Sequence, residues 1–370
     1  MAANPFRRKT RNIKIGNVRI GSSYPVSIQS MTNSDTKDVK ATLTQIRELA
    51  RLGCQIARIA VPDLESANAI KNLVKESPLP IVADIHFDHK LALLSIKNGI
   101  HAVRINPGNI GSKENVKAVA EAAGEAGIPI RIGTNTGSLA KEFHIPENIT
   151  DKSKKAELLS DALCSSALKQ CEALEEFNFR DIKVSLKASD VLTTYLAYKK
   201  FAAQTDYPLH LGVTEAGTLF RSSVKSSIGI GSLLLDGIGD TIRVSVTGSP
   251  LEEIKIAQMI LESTGHRDSS PEIISCPTCA RTTADIIELT KNVESLIDSM
   301  KAEGFHFQPF KIAIMGCAVN GPGEARDADI GIAGANGKFI LFRNGTTAKN
   351  SYTESEAFSL LKEEILKRKV

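Results

Sequence analysis

The chain has 370 residues, and 46 Lys and Arg against 42 Asp and Glu leave a formal net charge of only +4. That balance excludes a basic nucleic-acid coat protein and a chain ending in an acidic tail. Apolar residues at 42% and charged residues at 24% describe a folded globular protein, long enough for two domains or for a large barrel with a smaller unit. Aromatics at 5% with no Trp give no stacking platform for single-stranded nucleic acid.

The first residues, Met1 to Asn12, are basic but no apolar stretch follows, which excludes a secretory signal. No apolar run approaches the roughly 18 residues of a membrane-crossing helix. A cytoplasmic protein with no membrane contact is expected. Short β-branched runs then alternate with helical patterns. The predicted strands are Val26–Met31, Ile56–Val61, Ile81–Ile85, Ala102–Asn106, Pro129–Thr134, Asp181–Lys187, Leu209–Thr214 and Thr241–Thr247. Between them, 35–52 carries Val39, Leu43, Ile46 and Leu49 at spacings of three and four, one buried helical face. Segments 112–126 and 190–204 read the same way, and Leu251–Ser263 closes the series.

Parallel strands need crossovers, so the alternation predicts a parallel α/β sheet. Eight units over roughly 250 residues match an N-terminal (β/α)8 TIM barrel. An open doubly wound sheet is the rival. The polar stretch 263–271 then reads as a linker. Beyond it lie a predicted helix (283–300), a short strand (311–316), a hairpin (329–333 and 338–342) across Gly334-Ala335-Asn336-Gly337, and a last helix (353–369). Thr353 with Glu356 three residues on is a capping-box signature. The expected domains are residues 1–265, a substrate-binding barrel, and 266–370, a smaller α+β domain.

Five predicted strands carry a cation in or near their C-terminal half: Arg58, Arg104, Arg131, Lys187 and Arg243. In a barrel of this type that end forms the active site. A buried charge costs several kcal/mol unless it is paired. The anions at strand ends, Asp84 and Glu215, are fewer than the cations, and the surplus suits an anionic ligand such as phosphate. Asn106 and Asn135 begin or sit in Gly/Asn loops that can offer backbone N–H groups to a phosphate. His86 and His210 also sit at strand ends.

The chain has six cysteines, and without a secretory signal a disulfide framework is disfavoured. Cys54, Cys164 and Cys171 read as core residues. The sharper signal is Cys276-Pro277-Thr278-Cys279, followed by Cys317 after the strand 311–316, at the start of Cys317-Ala318-Val319-Asn320-Gly321-Pro322-Gly323-Glu324. This spacing allows a 4Fe–4S cluster on three thiolates, a zinc site completed by His266 or His306, or a redox pair on the CxxC alone. The carboxylate nearest Cys317 in its turn is Glu324.

The strings SCPTCARTT and MGCAVNGPGEARDADIGIAG resemble those of the 4-hydroxy-3-methylbut-2-enyl diphosphate synthases, iron–sulfur enzymes of the methylerythritol phosphate route to isoprenoids. VSIQSMTNSDT, ADIHFD, RINPGNIG, RIGTNTGSL and LHLGVTEAG follow in the same order as in that family. The resemblance implies reductive ring opening of 2-C-methyl-D-erythritol 2,4-cyclodiphosphate with loss of water. It implies a 4Fe–4S cluster on Cys276, Cys279, Cys317 and Glu324. It implies substrate contacts at Arg58, Asp84, His86, Arg104, Asn106, Arg131, Asn135, Lys187, Arg243 and Ser245, with Glu215 as acid/base. It further implies a homodimer and electrons from flavodoxin or ferredoxin. Two other readings stand beside it: a phosphate-binding barrel lyase or transferase with structural zinc, and a metal-bearing regulator that binds nucleic acid through Arg7, Arg8, Lys9 and Arg11.

Overall fold

The computed structural model describes residues 7–139, 141–146, 148–268, 271–317, 327–344 and 346–369. The chain divides into two compact units, Met1–Arg267 and Asp268–Val370.

The first unit opens with an antiparallel hairpin, β1 (Ile13–Ile15) and β2 (Val18–Ile20), that the sequence patterning did not reveal. Eight parallel strands follow: β3 (Ser27–Met31), β4 (Ile56–Ala60), β5 (Ile81–Asp84), β6 (Ala102–Ile105), β7 (Ile130–Asn135), β8 (Ile182–Lys187), β9 (His210–Leu211) and β10 (Thr241–Ile242). Each strand pairs with the next, β10 returns to β3, and a parallel bridge from Val184 to Leu209 joins β8 to β9. This is a near-closed TIM barrel, and the open-sheet alternative is set aside. The last two strands are shorter than the predicted runs, so Arg243, Thr214 and Glu215 lie on the loops beyond them.

A helix follows every barrel strand: α1 (Val39–Arg51), α2 (Leu64–Glu76), α3 (His89–Lys97), α4 (Lys113–Ala126), α5 (Lys152–Glu175), α6 (Val191–Gln204), α7 (Leu219–Leu235) and α8 (Pro250–Ser263). Asp38, Asp63, Asp88, Asp151 and Asp190 cap five of them, each side chain accepting from a first-turn N–H. On β8, Ile182, Val184 and Leu186 join the core beneath the helices, so Lys183, Ser185 and Lys187 face the barrel interior. Cys54, Cys164 and Cys171 are buried, as expected of core residues.

The barrel interior is divided by polarity. At its N-terminal end Ile13, Ile15 and Ile20 of the hairpin cluster with Ile56, Val82 and Ala102 of the strands, an apolar plug. An arm ahead of the hairpin ties this end together. Arg7 pairs with Asp240 at 2.8 Å and donates to the Gly21 and Gly239 carbonyls. Arg8 donates to the Thr205 and Tyr207 carbonyls, and Arg11 pairs with Asp206 and Glu175. Three of the four basic residues behind the nucleic-acid reading are thus engaged within the chain.

The second unit is a mixed sheet in the order β11 (Glu272–Ser275), β12 (Lys311–Met315), β13 (Ile330–Ala335), β14 (Lys338–Arg343), β15 (Thr346–Tyr352). The first three strands are parallel and the last three antiparallel. Helices α9 (Ile286–Ala302) and α10 (Glu354–Lys367) share an apolar core with the sheet through Leu289, Val293, Ile297, Leu361 and Ile365. The expected capping box is present at Thr353 and Glu356. The hairpin turn is tighter than predicted: Asn336 and Gly337, at φ 49° and 74°, form a two-residue loop whose twist matches its strands. Asp285 caps α9, so that helix starts at Ile286 rather than at Thr283. The strands β11 and β15 were not anticipated.

Candidate active site

The C-terminal half of the barrel interior is built from cations. Asp84, Arg104, Arg131 and Lys183 are register partners on four successive strands, so one row of side chains runs sideways across β5 to β8. All four are buried, and so are Arg58 and Lys187. Arg104 Nη1 lies 3.2 Å from Asp84 Oδ1, and Arg58 Nε lies 3.9 Å from Asp84 Oδ2. Arg58 also donates to the Met31 sulfur at 2.9 and 3.1 Å. Arg131 Nη1 faces His210 Nε2 at 3.2 Å. Two glycines make room for these long side chains. A Cβ at Gly133 would stand 2.6 Å from Arg104 Nε, and one at Gly212 would stand 2.6 Å from Lys187 Nζ.

The electrostatics follow from this crowding. Burial and mutual repulsion push Lys187 well below its ordinary value, with Arg131 and Arg243 the strongest repelling neighbours. Lys183 falls well below its ordinary value through burial and Arg131. His210 falls for the same two reasons and is held neutral. Burial alone would raise Asp84, but Arg58, a His86 hydrogen bond, Arg104 and Arg131 outweigh it and hold the carboxyl well below the usual range. Burial lowers Arg58 to about 10.

Several buried polar atoms have no hydrogen-bond partner among the described residues: both amide atoms of Gln29, Nε of Arg104, Arg131 and Arg243, Nδ1 of His210 and Oγ of Ser245. Buried polar groups are nearly always satisfied, so this cluster marks a place built for a polar ligand. With cations dominating the lining, the arrangement suits an anion.

His86 is exposed at the mouth, 3.4 Å from Asp84 Oδ2 and 3.3 Å from Arg104 Nη1. Asn106 is buried and its Oδ1 accepts from the Gly108 N–H at 3.0 Å, so its side chain shapes the turn after β6. Asn135 ends β7, in register with Lys187. Glu215 is exposed on the loop after β9 with φ 54°, a left-handed conformation rare for a side-chain-bearing residue and characteristic of functional loops. Arg243 is half-buried and Nη2 meets Glu253 Oε1 at 3.1 Å. Sequence reasoning missed Lys183, Gln29 and Glu253. For the first two the signal was available, since strict alternation on β8 and β3 places them inward. Glu253 is one acid among two in the first turn of α8, and nothing local marks it.

In the second unit two of the three cysteines follow neighbouring strand ends. β11 and β12 are parallel with Ser275 opposite Ile314, so Cys276 and the Gly316-Cys317 pair leave the sheet side by side. The Gly316 N–H donates to Cys276 Sγ at 3.2 Å. Thr282 Oγ1 accepts from the Cys279 N–H at 3.0 Å, and the Thr283 N–H donates to the Gly316 carbonyl. Thr278, inside the CxxC, adopts φ 67°. Backbone and side-chain hydrogen bonds from Arg281 lower the Cys279 thiol below its ordinary value. All three cysteines are free thiols. Among the described residues no three His, Cys, Asp or Glu side chains already stand close enough to hold a metal ion. The fourth candidate ligand, Glu324, lies outside the described residues. The donor set fits a thiolate-bound metal group: unlinked soft ligands that follow two neighbouring parallel strands, with an N–H donor aimed at sulfur.

Residues 10–258 match the family described as GcpE TIM-barrel domain, and residues 272–367 match the GcpE protein C-terminal domain. A protein of Clostridium perfringens is 51% identical over 356 residues, covering 96% of this chain and 98% of its own. A protein of Fusobacterium nucleatum is 53% identical over 360 residues, covering 97% and 98%. Both carry the name 4-hydroxy-3-methylbut-2-en-1-yl diphosphate synthase (flavodoxin). Among solved structures, dihydropteroate synthases of Yersinia pestis and Coxiella burnetii each reach a TM-score of 0.50 at 11% identity. They cover 69% and 70% of this chain and 98% and 99% of theirs, a likeness of barrel fold alone. No helix among the described residues is long and apolar enough to cross a membrane. By both domains and by identity over nearly its whole length, the chain belongs to the GcpE family.

Proposed function

We propose that this chain opens the ring of 2-C-methyl-D-erythritol 2,4-cyclodiphosphate reductively to 4-hydroxy-3-methylbut-2-enyl diphosphate, an oxidoreductase step of isoprenoid precursor synthesis in the cytoplasm. The observation that carries the reading is the set of buried, partly unsatisfied cations at the C-terminal half of the barrel, in a chain about half identical to proteins named for this reaction.

The diphosphate is the anion that the barrel interior favours. Arg58, Arg104, Arg131, Lys187 and Arg243 hold its charge, with Ser245 and the loops at Asn106 and Asn135 donating to its oxygens. Asp84 keeps Arg58 and Arg104 in place and, through His86, reaches the mouth. Substrate anionic charge relieves the repulsion among these cations, so binding and neutralisation are coupled. Glu215, exposed on its strained loop, holds the proton that the departing hydroxyl takes to leave as water.

Cys276, Cys279, Cys317 and Glu324 would hold a 4Fe–4S cluster. When bound, that group supplies single electrons and Lewis acidity. Glu324, a hard oxygen donor, would hold iron less tightly than a thiolate does. A flavodoxin or ferredoxin delivers the electrons. The protein is a homodimer in this reading, and the exposed Phe87 and Phe220 beside the barrel mouth give a covering partner an apolar rim to rest on.

The test is anaerobic turnover of the cyclodiphosphate with a chemical reductant, on protein whose iron and zinc have been counted. Brown protein with about four iron per chain that forms the linear diphosphate supports the reading. Stoichiometric zinc without iron, or no product, overturns it.

A further inference from the structure

Glu253 lies on the first turn of α8, outside the barrel wall, and is buried. Both of its oxygens are engaged. Oε1 accepts from Arg243 Nη2 at 3.1 Å and from the Val246 N–H at 3.2 Å. Oε2 accepts from the Ser30 hydroxyl at 2.8 Å, which anchors the carboxylate to β3. One oxygen therefore grips the segment 243–246 at both ends. Between those grips lie two buried groups with no hydrogen-bond partner among the described residues, Arg243 Nε and Ser245 Oγ. The segment follows a strand of only two residues, and the Arg243 N–H continues the ladder with a bond to the Leu211 carbonyl at 3.0 Å. Beyond Arg243 the helix carboxylate and the Ser222 hydroxyl, which donates to the Ser245 carbonyl at 2.6 Å, add to the bond of the Thr247 N–H to the Gly217 carbonyl at 2.9 Å.

We infer that Glu253 is a positioning residue: it clamps the 243–246 segment so that the Arg243 guanidinium and the Ser245 hydroxyl face an oxyanion inside the barrel. The inference deepens the proposed function and rests on its placement of an anionic substrate in the barrel. A carboxylate whose task was only to neutralise Arg243 would not need Val246 and Ser30. A purely structural clamp would not leave two donors unpaired between its grips. Electrostatics alone would work against substrate, because the Glu253 charge repels an incoming anion; its value lies in the geometry it imposes.

The hydrogen bonds and the charge can be separated. In Glu253→Gln the amide oxygen can accept from Arg243 and Val246 while the amide nitrogen donates to the Ser30 oxygen. The panel is wild type, Glu253→Gln, Glu253→Ala, Arg243→Ala and the double Ala variant. Readouts are kcat and KM for the cyclodiphosphate, the thermal midpoint, and calorimetric titration with inorganic pyrophosphate. We expect Glu253→Ala and Arg243→Ala each to lower kcat/KM about tenfold or more, chiefly through KM. The double variant should fall well short of the product of the two single losses, because Glu253 acts largely through Arg243 and only the Ser245 share of its effect remains once Arg243 is gone. Glu253→Gln should recover to within about threefold of wild type. Multiplicative losses, or Glu253→Gln as impaired as Glu253→Ala, overturn the inference. Should Glu253→Ala fail to fold, the double variant against Arg243→Ala decides, since it strands no cation. The pyrophosphate titration distinguishes the two readings. If wild type turns over no cyclodiphosphate, the reaction assignment fails; the clamp then stands or falls on whether the same variants weaken pyrophosphate in the same pattern.

Discussion

Arg104 and Asp84 are register partners on adjacent parallel strands, with Nη1 and Oδ1 3.2 Å apart in the barrel interior. Both are buried, and Asp84 also lies within 3.9 Å of Arg58 and 3.4 Å of His86. Removing one charge of such a group leaves the others unpaired. Asp84→Asn is expected to cost about 3–5 kcal/mol of stability at pH 7. The folded carboxyl titrates below its unfolded value of about 3.9, so its contribution is complete above that pH and is lost as pH falls through the folded value. The gap in thermal midpoint between wild type and Asp84→Asn should therefore hold from pH 8 to about 5 and close on further acidification. A gap that persists unchanged to pH 2 would show that packing, not charge, is responsible.

Lys183 makes the opposite prediction. It is buried in register with Arg131, and its ammonium reaches the Thr241 hydroxyl at 3.5 Å. Its folded pKa lies well below the unfolded value of about 10.4. Between those two values the unfolded chain binds more protons, so stability rises as pH rises. Lys183→Met keeps the volume and removes the charge. The variant should be more stable than wild type at pH 7 by about 1–3 kcal/mol. The advantage should shrink toward pH 10. Urea unfolding at both pH values measures it, and a variant less stable than wild type at pH 7 would mean that Lys183 has an anionic partner in the folded protein.

These two residues also show how much the sequence reveals. The five strand cations Arg58, Arg104, Arg131, Lys187 and Arg243 were conspicuous because each interrupts an apolar run, and strand alternation fixes which face they take. Lys183 interrupts such a run too, but it is the second residue of its own strand, away from the strand ends where sites are sought. Glu253 and the apolar plug on Ile13, Ile15 and Ile20 were not legible. A helix acid looks like any other until its strand neighbours are known, and three-residue strands carry too little period to be distinguished from loop. The capping box at Thr353 was readable because all of its partners lie within four residues. Register between β11 and β12, which brings Cys276 beside Cys317, is a long-range property, and spacing in the chain holds no trace of it.

The arm ahead of the barrel is expected to matter more than its length suggests. Arg7 and Asp240 are paired at 2.8 Å, with side chains only 7% and 2% exposed. Asp240 also accepts from the Leu209 N–H and the Thr10 hydroxyl, so it ties the arm to β9 and β10 at the plugged end. Arg7→Ala strands a buried carboxylate and should cost about 3 kcal/mol, a fall of roughly 5 °C in thermal midpoint. Arg7→Ala with Asp240→Asn should recover part of the loss. An unshifted midpoint in Arg7→Ala would mean that the arm is dispensable.

Thr282 offers a test of the thiol edge that does not depend on turnover. Its hydroxyl accepts from the Cys279 N–H at 3.0 Å. The same side chain lies against Gly316, where an added Cβ would meet Thr282 Oγ1 at 2.7 Å. One residue thus braces the Cys279 turn against the segment that carries Cys317. Thr282→Val keeps the shape and removes the acceptor, leaving the Cys279 N–H without its bond at a loss of about 1 kcal/mol. The loop should then sample other positions for Cys279. Iron retained per chain after anaerobic reconstitution and desalting should fall below wild type, and Thr282→Ser, which keeps the hydroxyl, should restore it. Equal retention in the Val variant would show that the hydroxyl does not hold Cys279 in place for metal.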